Sequence, residues 1–257
     1  MTDETAPEVL FSEEASGVRR VTLNRAEKRN AISRPMFAQL TEAFTREPPA
    51  NERVTILDAV GPTFCAGVDL SQRTEGGDGE GESPLELLCA AIAAYPLPVV
   101  AVLQGSAIGG GAMIALHCDF VIASSDAKIG NSAVQLGLVP AWPVARHILG
   151  LAGPSLAAQI LLLGDLIPAR ELADAGVIAR VAEPAELLET SRTLVDRLAA
   201  NAPLSLRAIK ATLSAVDFEP QSHETVLARI RAAQQSEDSK EGVRARAEKR
   251  SPVYTGR

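Results

Sequence analysis

The stretch AIGGGAMIALHCD, with glycines at 109, 110 and 111, constrains this chain more than any other. A β-branched run, PVVAVLQG, leads into the glycines, and an apolar helical segment leaves them. Glycine reaches left-handed backbone angles and lets another group approach the main chain closely. The first amides of a helix have no intrahelical partner and sit at its positive end. The stretch is therefore either a backbone-built pocket for an anion or oxyanion, or a tight turn whose packing excludes side chains. Nucleotide motifs do not fit. A GxGxxG pattern begun at Gly109 needs glycine where Ile114 stands, and no Gly-Lys-Ser/Thr follows. A second backbone-rich stretch, GPTFCAGVDL at residues 61–70, also runs from a strand into a turn of small residues. Two such strand ends can grip one carbonyl oxygen, the geometry that stabilises an enolate or a tetrahedral oxyanion.

The rest of the pattern is mixed α/β. EVLFSEEASGVRRVTLNR predicts a hairpin turning at Ser16 and Gly17, with Val18, Val21 and Leu23 as its inward positions. Ser33 and Ser83 read as N-caps, the first of a helix to about Arg46 with a stripe of Met36, Phe37, Leu40 and Phe44, the second followed by Pro84 at the first position. RVTILDAV, DFVIAS and AKIG are short strands, and from Ala141 onward the pattern is helical apart from a strand, GVIARV, near Val177. The Gly-rich, acidic residues 71–84 predict a mobile loop, either a lid or a linker.

At 257 residues the chain has room for one large domain or two small ones, and its net charge of −7 lacks the basic face that nucleic-acid binding needs. No apolar run reads as long enough for a membrane span, and the acidic start, MTDETAPEVL, reads as neither a signal nor a transit peptide. Cys65, Cys89 and Cys118, like His117, His147 and His223, are scattered, which predicts no metal site and a reducing cytoplasmic setting.

LNRAEKRNAIS, FCAGVDL, AIGGGAMIALHCD and KIGNSAVQLGLVP occur in order, followed by AAQILLLGDLIPARELADAGVIARV, NAPLSLRAIKATL and SEDSKEGVRARAEKRSP. Together they resemble the serial motifs of the crotonase superfamily, the enoyl-CoA hydratase/isomerase group, over nearly the whole chain. The resemblance implies an α/β crotonase (ClpP/crotonase-like) fold of repeated β-β-α units. Residues 1–195 would form the core and residues 196–257 a helical trimerisation region, giving a homotrimer or a hexamer of two trimers. It implies an acyl-CoA or enoyl-CoA ligand, with coenzyme A entering as part of the substrate and no separate cofactor. By the same resemblance, the Val68 and Gly110 amides hold the thioester oxygen and the main chain of Ala66, Asp69 and Leu70 meets the adenine. Arg25 and Lys28 are candidates for the CoA phosphates, or else a solvated turn. Lys249 and Arg250 would reach a neighbouring subunit's CoA.

The family's hydratases use two glutamates, one to activate water and one to deliver a proton to the α-carbon. Their positions here hold Met113 and Ala133. The loop after LGLVP, where other branches place a carboxylate, reads PAWPVARH; Ala141 and Trp142 occupy the region with no acid, and Trp142 and Pro143 imply a reshaped, more apolar pocket, unless Trp142 packs in a core. Asp69 and Asp119 read as structural acceptors and Cys65 as a small neighbour of the turn. His117 lies one helical turn beyond Met113, as a core histidine or a pocket one. Asn131 and Ser132 are placed to bind water or a polar acyl group, and Tyr254 is the one candidate from the C-terminal region. Three readings follow: CoA-thioester chemistry without the glutamate pair, a non-catalytic acyl-CoA binder, and a hydratase using other residues.

Overall fold

A computed structural model of the chain describes residues 6–72, 83–215, 231, 235–250 and 252. Its centre is a six-stranded sheet in the order β1-β2-β3-β4-β6-β9. The strands are β1 (Val9–Glu14), β2 (Val18–Leu23), β3 (Val54–Ala59), β4 (Val99–Leu103), β6 (Phe120–Ser124) and β9 (Arg180–Ala182). Only the β1–β2 hairpin is antiparallel; the other pairings run parallel. A smaller sheet joins β5 (Ala107–Ile108), β7 (Lys128–Gly130) and β8 (Leu166–Pro168) in the order β5-β7-β8. The helices are α1 (Arg34–Thr45), α2 (Pro84–Ala94), α3 (Gly110–Leu116), α4 (Trp142–Ala158), α5 (Ala169–Asp174), α6 (Leu187–Ala199), α7 (Pro203–Ala215) and α8 (Glu237–Ala247). The β-β-α repeat recurs as β1-β2-α1, β4-β5-α3 and β6-β7-α4. In the last two, the first strand enters the large sheet and the second enters the small one.

Parallel strands covered on both faces read as near-continuous apolar runs, because each successive side chain meets a core. Here Leu57, Val99, Ala101, Leu103, Val121 and Ala123 face the main core with α1, α2 and α3. The intervening Val54, Ile56, Val100 and Ile122 face a smaller cluster completed by Leu187 and Val195 of α6. This alternation corrects one expectation: Val18 joins the α6 cluster, whereas Val21 and Leu23 face the main core. Side chains of odd and even number leave opposite faces of a strand, so the three cannot share one.

The capping serines act as expected. Ser33 accepts from Met36 N at 3.2 Å and Ser83 from Glu86 N at 3.2 Å, each ahead of a proline-started helix. The late strand is displaced, since Val177 and Ile178 are buried coil and pairing begins at Arg180, and β8 was not expected at all. Residues 73–82, most of the expected loop, lie outside the described residues, as do His223 and Tyr254.

Two further corrections concern the C-terminal half. α6 runs through the boundary expected between residues 195 and 196, and α8 packs on the core itself: a Cβ on Gly242 would lie 2.0 Å from Leu136 O, and one on Gly137 2.7 Å from Asp238 O. A helical run long and apolar enough to cross a membrane does exist, Trp142–Leu163, with 22 residues and a mean hydropathy of 1.3. It is interrupted at Gly153, whose φ of 69° and ψ of 169° are non-helical, and Val144, Ile148, Ala157 and Ile160 anchor it on the core.

Candidate active site

The glycine turn and the AGVDL turn meet. Residues 65–69 are stitched on one side to β5, where Ile108 N donates to Cys65 O at 2.9 Å, and on the other to residues 29–32. Ile32 N donates to Gly67 O at 2.8 Å and Asp69 N to Ile32 O at 3.0 Å. Because alternate residues of an extended segment point their N–H groups to opposite sides, that of Val68 is turned away from Ile32. Gly110 opens α3, where its N–H precedes any intrahelical bond. Neither amide has a hydrogen-bond partner among the described residues. They are neighbours, since a Cβ on Gly110 would stand 3.4 Å from Val68 N and one on Gly67 3.4 Å from Gly110 N.

Each glycine of the triplet has its own cause. Gly109 combines φ 56° with ψ −123°, which a side chain resists, and Gly110 leaves the space beside Val68 open. Gly111 packs so tightly that a Cβ would lie 2.6 Å from Cys65 O. The two readings of the triplet thus hold at different positions: backbone exposure at 110 and close packing at 111.

Both amides open on a cavity of about 220 Å³. Of the expected site residues, Ala66, Val68, Asp69, Leu70, Gly110, Met113, Asn131, Ser132 and Ala133 line it together. Ile32, Phe37, Leu85, Val139, Pro140 and Ala141 make the remaining wall largely apolar. Met113, only 1 % exposed, and Ala133 stand in this lining with no group able to transfer a proton.

None of the expected cations lines this cavity. Arg25 lies outside the lining and is committed to Glu8 at 2.8 Å and Asp69 at 2.7 Å. Lys28 is exposed on a short turn away from the cavity. Arg250 is held by Glu241 and Glu248, and Lys249 beside it is exposed at φ 55°; neither lines the cavity. Trp142 is not a wall residue either. It opens α4 half-buried, and Ala141 occupies the lining instead. Sequence reasoning missed Arg34, which lines the cavity from the first turn of α1 and whose guanidinium has no partner among the described residues. Its signal was the capping Ser33, which put that turn next to the NAIS motif without saying what it faced.

Electrostatically the site is quiet. Burial raises the Asp69 carboxyl, but hydrogen bonds from Ser71 and Arg25 outweigh this and hold it below the usual aspartate value. Asp119 accepts from Val99 N at 2.8 Å and from Lys210 Nζ at 2.6 Å, a structural role as expected. His117 is the core histidine of the two readings: its Nδ1 meets Met113 O at 2.7 Å and its ring stacks on His147 at 4.0 Å.

Burial, then the neighbouring His147, pushes His117 from 6.5 down to about 3, against the opposing hydrogen bond to Met113 O. Below pH 6.5 the unfolded chain therefore takes up a proton that the folded one refuses. This contribution to stability is complete above pH 6.5 and is lost as pH falls toward 3, at up to about 1.4 kcal/mol per pH unit. Urea unfolding at pH 7 and pH 5 should show the fall, and His117→Phe should flatten that part of it.

A family model described as enoyl-CoA hydratase/isomerase matches residues 13–257. The chain is 36% identical to a putative enoyl-CoA hydratase of Thermus thermophilus, covering 91% of this chain and 96% of that one. It is 32% identical to an enoyl-CoA isomerase/hydratase of Mycosarcoma maydis, over 96% and 95% of the two chains. Among solved structures, a methylmalonyl-CoA decarboxylase in complex with 2-nitronate-propionyl-CoA superposes with a TM-score of 0.90 at 25% identity, covering 98% of this chain and all of that one.

Proposed function

The chain belongs to the enoyl-CoA hydratase/isomerase family of the crotonase superfamily, and from that premise we propose that its cavity holds the acyl end of a coenzyme A thioester. The thioester oxygen is taken by the Val68 and Gly110 amides. The observation that carries this reading is the pair of neighbouring N–H groups, without a partner among the described residues, at one end of an apolar cavity. The names of the curated relatives and the CoA ligand of the solved neighbour support the thioester class.

Such a pair stabilises a thioester enolate, and the loss of one oxyanion donor typically costs about 2.7–4 kcal/mol. Hydration asks for more, namely two groups that move protons, and positions 113 and 133 supply neither. The reaction is therefore one in which the protein contributes enolate stabilisation and leaves out the paired carboxylates. A non-catalytic acyl-CoA binder is the second reading, favoured by the same bare lining. Turnover separates the two.

Self-association belongs to the proposal. Leu204, Ile209 and Leu213 on α7, and Leu162 and Leu163 after α4, are exposed apolar residues that support contacts between copies of the chain. Calorimetric titration with butyryl-CoA tests the reading. Saturable binding of one ligand per chain, tighter than for free butyrate, is expected, and no binding would overturn it.

A further inference from the structure

One wall of the cavity rests on a turn rather than on a strand. Ser132, Ala133 and Leu136 belong to the 3₁₀ turn Ser132–Leu136, and all three stand in the lining. The outer side of this turn meets α8. A Cβ on Gly242 would lie 2.0 Å from Leu136 O and 2.3 Å from Leu136 C, and one on Gly137 would lie 2.7 Å from Asp238 O and 3.0 Å from the Cα of Ser239. Backbone therefore meets backbone, with no side chain between the helix and the turn. Among the described residues none of α8 lines the cavity itself, so the helix reaches the site only through the turn.

α8 is held in this place by its own chain. Ser239, Gly242 and Ala245 recur at helical spacing and are buried, which gives the helix one face of small residues toward the core. Ser236 caps its start, accepting from Ser239 N at 3.0 Å. Past its end, Arg250 Nη2 folds back to Glu241 Oε2 at 3.0 Å, where Arg244 Nη2 also donates at 2.7 Å. The other flank of the turn is held by a side chain, since Gln135 Nε2 donates to Gly164 O at 3.3 Å. A glutamine can change rotamer to follow a displaced partner, whereas two backbones in contact cannot. The Gly242 contact is thus the stiffer of the two.

Resting on the thioester reading above, we infer that α8 is a positioning element of the site. Through Gly242 it sets where the Ser132–Leu136 turn stands, and with it how closely the cavity fits the alkyl part of an acyl group. Leu136 is the transmitting residue, since its carbonyl faces α8 and the residue lines the cavity. The contact has little tolerance. Even one methyl on Gly242 would have to be relieved by more than about 1 Å, because non-bonded heavy atoms do not approach so closely. If the turn yields, it moves into the cavity; if α8 yields, the turn loses its backing. Either result costs an alkyl chain its close packing, while the Val68 and Gly110 amides, carried by other segments, stay in place. Acyl selectivity is thereby set partly from the C-terminal helix, outside the lining.

Gly242→Ala tests this through a ratio of affinities. The probes are acetyl-CoA and butyryl-CoA, which differ only in the length of the alkyl chain. Wild type is expected to bind butyryl-CoA about tenfold more tightly, the gain for two further methylenes leaving water, and in the variant the ratio should fall to about twofold. A helix that only stabilises the fold would lower the thermal midpoint and leave the ratio alone. A second measurement uses the wild-type protein and holds whether or not the variant folds. Amide exchange across α8 should be at least about threefold slower with saturating butyryl-CoA than with saturating free CoA, because the acyl group packs on the turn that α8 backs. If wild type has no preference for butyryl-CoA, if the variant keeps the wild-type ratio, or if α8 exchanges alike with the two ligands, the inference falls while the thioester reading stands. If neither thioester binds the wild-type protein, both fall.

Discussion

Gly110→Ala is expected to leave the fold intact and to weaken the site's hold on an enolate-like oxyanion by about 10²–10³-fold. The backbone tolerates alanine there, because Gly110 is the first residue of α3 and has no positive φ. The added methyl would sit 3.0 Å from Val68 Cγ2, 3.4 Å from Val68 N and 3.5 Å from Leu85 Cδ1, in the space a carbonyl oxygen must enter to meet both amides. A modest shift of Val68 relieves the closest contact, so the thermal midpoint should stay near that of wild type. The functional loss should depend on charge. For butyryl-CoA, a neutral carbonyl, each hydrogen bond is worth about 1 kcal/mol net, and about tenfold weakening is expected. For 2-nitropropionyl-CoA in its nitronate form, which carries the enolate's charge, the loss should reach the larger figure. Titrating both ligands against both proteins reads the difference directly. Equal losses would mean that the amides contribute shape alone.

The second large effect is a gain. Met113→Glu/Ala133→Glu places two carboxylates in the lining, one on the first turns of α3 and one beside Asn131 in the turn after β7. Each general acid or base of this kind contributes roughly 10²–10⁴-fold. Met113 is almost fully buried, so a glutamate there would be desolvated and its pKa pushed upward, toward the range of a proton donor. Ala133 is half-buried, and a glutamate there would stay closer to its ordinary value and ionised. That is the division of labour between acid and base. The double variant should therefore hydrate crotonyl-CoA at least about 10²-fold faster than wild type, while either single variant gains far less. Loss of the conjugated-thioester absorbance follows the reaction.

What was legible in the sequence was local. Caps at Ser33 and Ser83, the hairpin turn at Gly17 and the strands β3, β4 and β6 follow from short-range geometry and form where they were read. The two turns of the site were legible for the same reason, since glycine and small residues at strand ends announce exposed backbone. Long-range pairing was not. Arg25 read as a candidate for a ligand's phosphates or as part of a solvated turn, yet its partners are Glu8 and, far along the chain, Asp69. Arg250 likewise answers to Glu241. No local pattern tells which carboxylate a surface arginine will meet. The three-residue β8 and β9 were missed or misplaced because strands that short carry too few residues to show a period. Trp142 was weighed for pocket or core because large aromatics are usually well covered, and a half-buried place at the start of α4 is what the helix geometry gives it.

The account's central claim is that the thioester-holding half of the site is present and the paired proton-transfer groups are absent. One measurement addresses it most directly: wild-type protein mixed with crotonyl-CoA, with binding and conjugated-thioester absorbance followed in the same sample. The account predicts saturable binding with the absorbance unchanged over the time in which the Met113→Glu/Ala133→Glu variant consumes its substrate. Hydration by the wild-type protein at a rate typical of an enzyme, about 1–10³ per second, would contradict it, because an acid–base pair other than positions 113 and 133 would then have to exist.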